Sequence, residues 1–289
     1  SGTSFSVNDG AVTVSSFFLG DELFQNYNIN DDGGYVPISA NFDGIGLFCH
    51  EFSHALGLPD LYYTGKNTTI SKTIRTMGYW DLMDYGQYMY NGYYPPAYSA
   101  YERSFLGWLD IKELTDPEFV TLYPSGSEDL GPTACVIRNP ENEKEYYIFQ
   151  NRQDRTWYHA NFLGHGLLVT HVDYSASLWT SNSVNNDPDH RRVMYVPADN
   201  GYNLTYRQSG QSSTDFWNTY RNGLFPGGLG VKDFTDTTTP SADVFTPSGK
   251  LGAPVYGITE HADGTITFAF LEKSLTGVQG VTTEENGTA

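Results

Sequence analysis

His50, Glu51 and His54 form the pattern H-E-x-x-H. On a helix, residues four apart lie one above the other on the same face. Two imidazoles at that spacing can reach one zinc ion at about 2.0 to 2.1 Å each. Glu51, beside the first imidazole, can meet a metal-activated water whose pKa falls towards about 7, and can take its proton. Five residues with three of them fixed can occur by chance, so the downstream residues carry much of the weight. The run continues H-E-F-S-H-A-L-G-L-P-D, with Gly57 three residues after His54 and Asp60 six after it. Glycine at that place lets a helix end in a left-handed turn and the chain double back. Asp60 is then placed as a third ligand, with carboxylate oxygen at roughly 2.0 to 2.2 Å from zinc. Three protein ligands and an open fourth position describe a catalytic zinc site, not a structural one. The plainer alternative for Asp60 is a turn residue after Pro59.

These residues need elements to hold them. Over Gly44 to Leu58 (GIGLFCHEFSHALGL), Ile45, Phe48, Phe52, Ala55 and Leu56 recur at three- and four-residue steps. That period predicts an amphipathic helix with a broad buried apolar face, stopped by Gly57 and Pro59. Upstream, residues 1 to 43 read as short strands and turns, with Ala11 to Leu19 as a strand. Residues 76 to 110 are rich in Tyr, Gly and Trp, with a second helical stretch at Tyr98 to Leu106. From Phe119 onward the reading is mostly β. Candidate strands are Phe119 to Tyr123, Ala134 to Arg138, Tyr146 to Gln150, Leu167 to Val172, Arg192 to Val196, Val255 to Thr259 and Thr265 to Leu271. His165 and His171 would lie on one strand face, but about 20 Å apart at 3.3 Å per residue, and cannot share an ion.

The stretch H-E-F-S-H-A-L-G-L-P-D-L-Y resembles the metzincin zinc endopeptidases and, within them, the immune inhibitor A-type peptidases, secreted bacterial enzymes. The resemblance implies His50, His54 and Asp60 as zinc ligands, and Glu51 as the residue that activates water. It also implies a Met-turn beneath the metal. W-D-L-M-D-Y-G puts Met83 in that role, 23 residues past Asp60. Tyr85, two residues on, becomes a second candidate catalytic residue, its phenol donating to a developing oxyanion. Gly164 to Asp173 and the W-x-x-N-x-V-N stretch from Trp179 to Asn185 resemble the region downstream of the Met-turn. The implied fold class is α+β: a metzincin-like zinc helix and Met-turn unit over residues 1 to 110, a β-rich region packed on it over 111 to 271, and a linker-like tail over 272 to 289. Only 49 residues precede His50, so the upstream half of the cleft is expected to be short or incomplete.

The 289 residues carry a formal net charge of -18, which disfavours contact with phosphate backbones and excludes nucleic acid as the expected partner. Some of the acidity could hold Ca2+. Asn185, Asn186, Asp187 and Asp189 are oxygen-rich, though not at EF-hand spacing. The two cysteines, Cys49 and Cys135, make no disulfide framework and no zinc cluster, and Cys49 reads as a small core residue. No apolar run is long enough for a membrane span. The resemblance and the tail imply a secreted or cell-surface location. The expected function is hydrolysis of internal peptide bonds in extracellular proteins. Two rival readings stay open. Glu102 on the second helix could be the third ligand in place of Asp60, as in thermolysin-like peptidases. Alternatively, the chain is a β-rich glycan- or protein-binding module with a vestigial metal site.

Overall fold

The computed structural model describes residues 44–153, 163–201 and 210–277 in full and, upstream of these, the backbone of four strands. Those strands are β1 (Phe5–Val7), β2 (Val12–Val14), β3 (Leu23–Ile29) and β4 (Tyr35–Phe42), paired antiparallel as β1 with β2 and β3 with β4. Of the strand expected at Ala11 to Leu19, Val12–Val14 is seen and the remainder lies outside the described residues. Next in chain order come α1 (Ile45–Ala55), α2 (Thr68–Thr73), α3 (Ala100–Phe105), β5 (Lys112–Glu113), β6 (Glu118–Leu122), β7 (Ala134–Asn139), β8 (Asn142–Arg152), β9 (Gly166–Asp173), α4 (Ala176–Thr180), β10 (Val193–Tyr195), α5 (Ser213–Arg221), β11 (Val255–Glu260) and β12 (Ile266–Phe270). The class is α+β.

A five-stranded sheet in the order β10-β9-β8-β7-β5 forms the middle of the molecule. It is antiparallel except where β5 pairs parallel with β7. Successive side chains on a strand point to opposite faces, and here both faces are covered. On one face, Ala134, Val136, Ile148, Leu168 and Val172 join Leu58, Leu61, Trp80, Met83 and Tyr101 in one core. On the other, Cys135, Ile137, Tyr147, Phe149, Leu167 and Val169 pack with Phe268 and Phe270, which belong to the three-stranded sheet β11-β12-β6. Every residue of β9 is buried as a result. Cys135 is a free thiol within that core, and Cys49 is free and half-buried. Beyond β12, Lys273–Gly277 forms a 3-10 helix and the rest of the expected tail lies outside the described residues.

Helix α1 departs from expectation. Its apolar stripe faces away from both cores: Ile45 is 54% exposed, Phe48 54%, Phe52 48% and Leu56 37%. The buried face is Gly46, His50 and Ser53. The cause is close backbone packing. Gly46 N–H donates to the Gly92 carbonyl at 2.9 Å, and a Cβ on Gly46 would lie 2.1 Å from the Gln87 carbonyl oxygen. Only glycine permits that approach. The three- and four-residue period identified the helix correctly and its inward face wrongly.

The 77–86 segment beneath α1 is built around buried carboxylates. Asp84 accepts the Gly78 amide and the Tyr85 amide, both at 2.8 Å. Gly78 has φ +57°, and a Cβ there would meet the Tyr220 hydroxyl at 2.5 Å. Burial pushes the Asp84 carboxyl up to about 7, against hydrogen bonds from Thr76 and from these amides. The folded protein therefore holds a proton that the unfolded chain releases near pH 4. Stability from this group is complete below about pH 4 and is lost as pH rises towards 7, by an amount on the order of a few kcal/mol. Urea midpoints measured from pH 4 to 8 should fall across this window, and Asp84→Asn should flatten the fall. A slope equal to that of the wild type would remove Asp84 as its source.

Candidate metal centre

Helix α1 ends in a Schellman turn. Gly57 has φ +102°, its N–H donates to the His54 carbonyl at 3.0 Å, and the Leu58 N–H donates to the Ser53 carbonyl at 3.1 Å. This is the turn the glycine predicted. It also serves His54, whose Nδ1 lies 2.8 Å from the Leu58 carbonyl. His50 Nδ1 lies 2.8 Å from the Leu82 carbonyl, in the segment before Met83. A carbonyl only accepts, so both Nδ1 atoms carry the proton and both Nε2 atoms present a lone pair.

Those two Nε2 atoms converge on one carboxylate oxygen. Asp60 Oδ1 lies 3.0 Å from His50 Nε2 and 3.3 Å from His54 Nε2. The three ligating atoms all lie within 4.8 Å of one another, the one such group of His, Cys, Asp or Glu among the described residues. Asp60 is buried, and Oδ1 has no hydrogen-bond donor in the protein. Three electron pairs facing one another require a cation or protons between them. Without a metal, protons serve: the Asp60 bond and then its charge raise His54, against burial. Burial opposes the Asp60 anion, yet in that protonated form hydrogen bonds from His50 and His54, with the one from Asn182, outweigh it and hold the carboxyl below the usual range. Two neutral imidazoles and a carboxylate, with fixed tautomers and a backbone partner behind each ring, fit a zinc ion.

Asp60 is held from the far side by Asn182, in the turn after α4. The Asp60 N–H donates to Asn182 Oδ1 at 2.7 Å, and Asn182 Nδ2 donates to Asp60 Oδ2 at 2.6 Å. Asn182 adopts φ +52°, a left-handed conformation that asparagine tolerates better than most residues. Asn185 Nδ2 donates to the Leu61 carbonyl at 2.6 Å, and Asn186 Oδ1 accepts the Thr64 amide at 2.9 Å. A row of asparagines thus aligns the 60–64 segment. Asn185 and Asn186 spend their amides there, in the stretch whose oxygen-rich composition suggested calcium. Asn182 and Asn185 stood in the W-x-x-N-x-V-N pattern, but without a role. Their spacing after Trp179 carried no sign of partners 122 and 124 residues away.

Glu51 is half-buried beside His50, close enough for its charge to act on His54 and Tyr62. Met83 is fully buried in the core below. Its carbonyl accepts the Leu61 amide at 2.8 Å, so the 81–84 turn supports the segment that carries Asp60 as well as His50. Tyr85 is one ring removed: its centroid lies 6.2 Å from Tyr62, which in turn lies 6.2 Å from His50. Glu102 is elsewhere. It is buried at the start of α3, where Ser99 N–H donates to it at 2.6 Å in a capping box, and the Ser99 hydroxyl in turn donates to Asp81 at 2.7 Å. Burial first, then the Asp81 charge, raises its carboxyl well above the ordinary range. Glu102 therefore caps α3 and is absent from the converging group, and the thermolysin-like ligand set is not assembled. His165 and His171 reach separate carboxylates, Glu260 and Glu145, at 2.6 and 2.9 Å.

Residues 25–109 match the family described as immune inhibitor A peptidase M6, catalytic domain. Two curated relatives are similar to the chain, both the pre-pro-metalloprotease PrtV, from two strains of Vibrio cholerae serotype O1. Each is 28% identical over 143 residues, which covers 41% of this chain and 14% of the relative. The chain therefore spans a small part of the length of the curated relatives it matches. No solved structure matches it.

The Asn182 contacts reach the site and the Glu102 contacts do not, which separates the two by experiment. Asn182→Ala should weaken zinc binding about 10- to 100-fold. Glu102→Ala should keep the metal and lower the unfolding free energy by about 1 to 3 kcal/mol. Chelator-competition titration and urea unfolding check both. Zinc loss in Glu102→Ala with none in Asn182→Ala would reverse the assignment.

Proposed function

From the match of residues 25–109 to the immune inhibitor A peptidase catalytic domain, we propose that this chain is a zinc-dependent endopeptidase that hydrolyses internal peptide bonds of extracellular proteins. The observation that carries the proposal is the convergence of His50 Nε2, His54 Nε2 and Asp60 Oδ1 around a buried oxygen with no donor of its own. The proposed ligands are His50, His54 and Asp60. A zinc ion bound there would supply Lewis acidity, lowering the pKa of a water and polarising a carbonyl.

The rest of the chemistry falls to the chain's own groups. The Leu82 and Leu58 carbonyls keep each imidazole in the tautomer with Nε2 inward and raise its basicity. Glu51, next to His50 on the helix and close enough for its charge to act on His54, takes the proton from the attacking water. It then passes that proton to the nitrogen of the departing amine. Met83 supports the site by packing, and its turn supplies two backbone contacts. Tyr85 remains a candidate oxyanion donor, one ring removed from His50 across Tyr62. The proposed organisation is a catalytic unit over 1 to 110 and a β-rich region over 111 to 271, joined by a shared core. A secreted or cell-surface setting fits the family, and no helix of the described residues is long and apolar enough to cross a membrane.

Metal analysis and a protein-digestion assay with and without chelator test the proposal. The wild type should hold about one zinc per chain and lose hydrolysis when chelated. Glu51→Gln should keep zinc and lose turnover by about 100-fold or more. His54→Ala should lose zinc. Normal turnover by Glu51→Gln would remove that residue from the mechanism. No zinc after attempted reconstitution would favour the binding-module reading of the β-rich region.

A further inference from the structure

We infer that Ser99 is a positioning residue of the metal centre: its hydroxyl, through Asp81, ties the turn behind His50 and Asp60 to the central sheet. The inference rests on the proposed zinc site and adds to it a residue that the H-E-x-x-H pattern and the Met-turn do not include. The turn makes one contact with each side of the site. The Leu82 carbonyl lies 2.8 Å from His50 Nδ1, and the Met83 carbonyl accepts the amide of Leu61, the neighbour of Asp60, at 2.8 Å. Asp81 sets the shape of that turn. Its Oδ1 accepts the Met83 amide at 2.9 Å, and its carbonyl accepts the Gly86 amide at 3.0 Å. The approach is close: a Cβ on Gly86 would lie 2.4 Å from the Asp81 carbonyl oxygen. Leu82 is thereby held between two fixed residues, with its carbonyl towards His50.

The other carboxylate oxygen is where the rest of the fold takes hold. Asp81 Oδ2 accepts the Ser99 hydroxyl at 2.7 Å. Ser99 is also the N-cap of α3: the same hydroxyl oxygen accepts the Glu102 amide at 3.2 Å, and the Ser99 amide donates to Glu102 Oε2 at 2.6 Å. An N-cap needs only the acceptor side of a hydroxyl, and here the donor side is spent outside the helix. The next amide, that of Ala100, donates at 3.0 Å to Oε1 of Gln150, a residue of β8 in the central sheet. Asp81, Ser99, Glu102 and Gln150 are all buried, so bulk water does not replace a partner lost among them. The linkage runs from β8 through the α3 cap to the turn, and ends on His50 and on the segment that carries Asp60. It is separate from the Asn182 contact, which grips Asp60 directly. Groups behind the ligands set their orientation and the metal affinity without touching the metal.

The test compares Ser99→Gly, Ser99→Ala and Glu102→Ala with the wild type. Each protein is titrated metal-free with zinc against a chromophoric chelator, melted, and loaded with cobalt(II) for visible absorption. Glycine caps a helix nearly as well as serine, so Ser99→Gly removes the bond to Asp81 and spares the cap. Glu102→Ala does the reverse, and Ser99→Ala loses both. Ser99→Gly and Ser99→Ala should each bind zinc about fivefold to tenfold more weakly, with the cobalt band shifted in both. Glu102→Ala should keep wild-type affinity and spectrum while its metal-free melting temperature falls. Wild-type affinity and spectrum in Ser99→Gly would overturn the inference and leave the zinc reading intact. Equal weakening in Glu102→Ala and Ser99→Gly would also overturn it, by assigning the effect to the helix cap. So would a Ser99→Gly chain that does not fold beside a folded Ser99→Ala with wild-type metal binding. Failure of the wild type to bind either metal would overturn the zinc reading and this inference together.

Discussion

A buried carboxylate facing two imidazole lone pairs is the arrangement around which this half of the molecule is organised. Asp60 Oδ1 sits 3.0 and 3.3 Å from two Nε2 atoms that carry no proton in their fixed tautomers. Left alone, the group is costly, because burial of an unpaired anion is disfavoured and the lone pairs repel. The surrounding contacts make sense as ways to hold it regardless. Leu82 and Leu58 each fix one ring through Nδ1, and Asn182 grips Asp60 at both its amide and its carboxylate. Each of these partners comes from a different part of the chain, so the site exists only once the fold does.

The central sheet supplies the stiffness. Because β9 is buried on both faces, it ties the core beneath the 77–86 turn to the core under the three-stranded sheet. The α4 turn that carries Asn182 leaves directly from the end of β9, and β10, beside β9, holds Asn185 through the Val193 carbonyl at 2.8 Å. The asparagine row is thereby anchored to the sheet and reaches across to the 60–64 segment. The β-rich region thus determines where the Asp60 carboxylate points. That coupling gives a physical reason for the two regions to occupy one chain.

Much of this was legible in the residues, and the parts that were not have identifiable causes. The helix, its glycine stop and the convergence on Asp60 obey local rules, since i and i+4 share a face and a left-handed glycine reverses the chain. The strands from 119 onward arise from β-branched and aromatic runs between turn residues. The inward face of α1 was read wrongly because apolar period alone cannot register a backbone approach through Gly46. Helices α2, α4 and α5 went unread; the first two are short, and α5 (STDFWNTYR) mixes polar and aromatic residues without a clear apolar stripe. Asn182 was invisible as a partner because its role depends on contact with a residue 122 positions away. Glu102 looked like a ligand candidate because a carboxylate on a helix is ambiguous until its burial and its capping box are seen.

Charge distribution around the centre obeys the same logic. The chain is acidic overall, at -18, yet among the described residues no lysine or arginine is paired with Asp60. The cationic contacts that do appear lie elsewhere, as with Arg192 on Asp173 at 2.8 Å and Arg103 on Glu128 at 2.6 Å. Carboxyls in the supporting layer are kept from adding charge by a different means. Asp84 is raised to about 7 by burial, and Glu102 and Asp81 are both buried carboxyls raised first by desolvation. Burial thus favours the neutral form of the carboxyls beneath the site, while hydrogen bonds favour the Asp60 anion. A divalent cation arriving at the three converging atoms would meet one full negative charge with neutral donors behind it, the electrostatic pattern expected of a site that must leave its metal strongly Lewis-acidic.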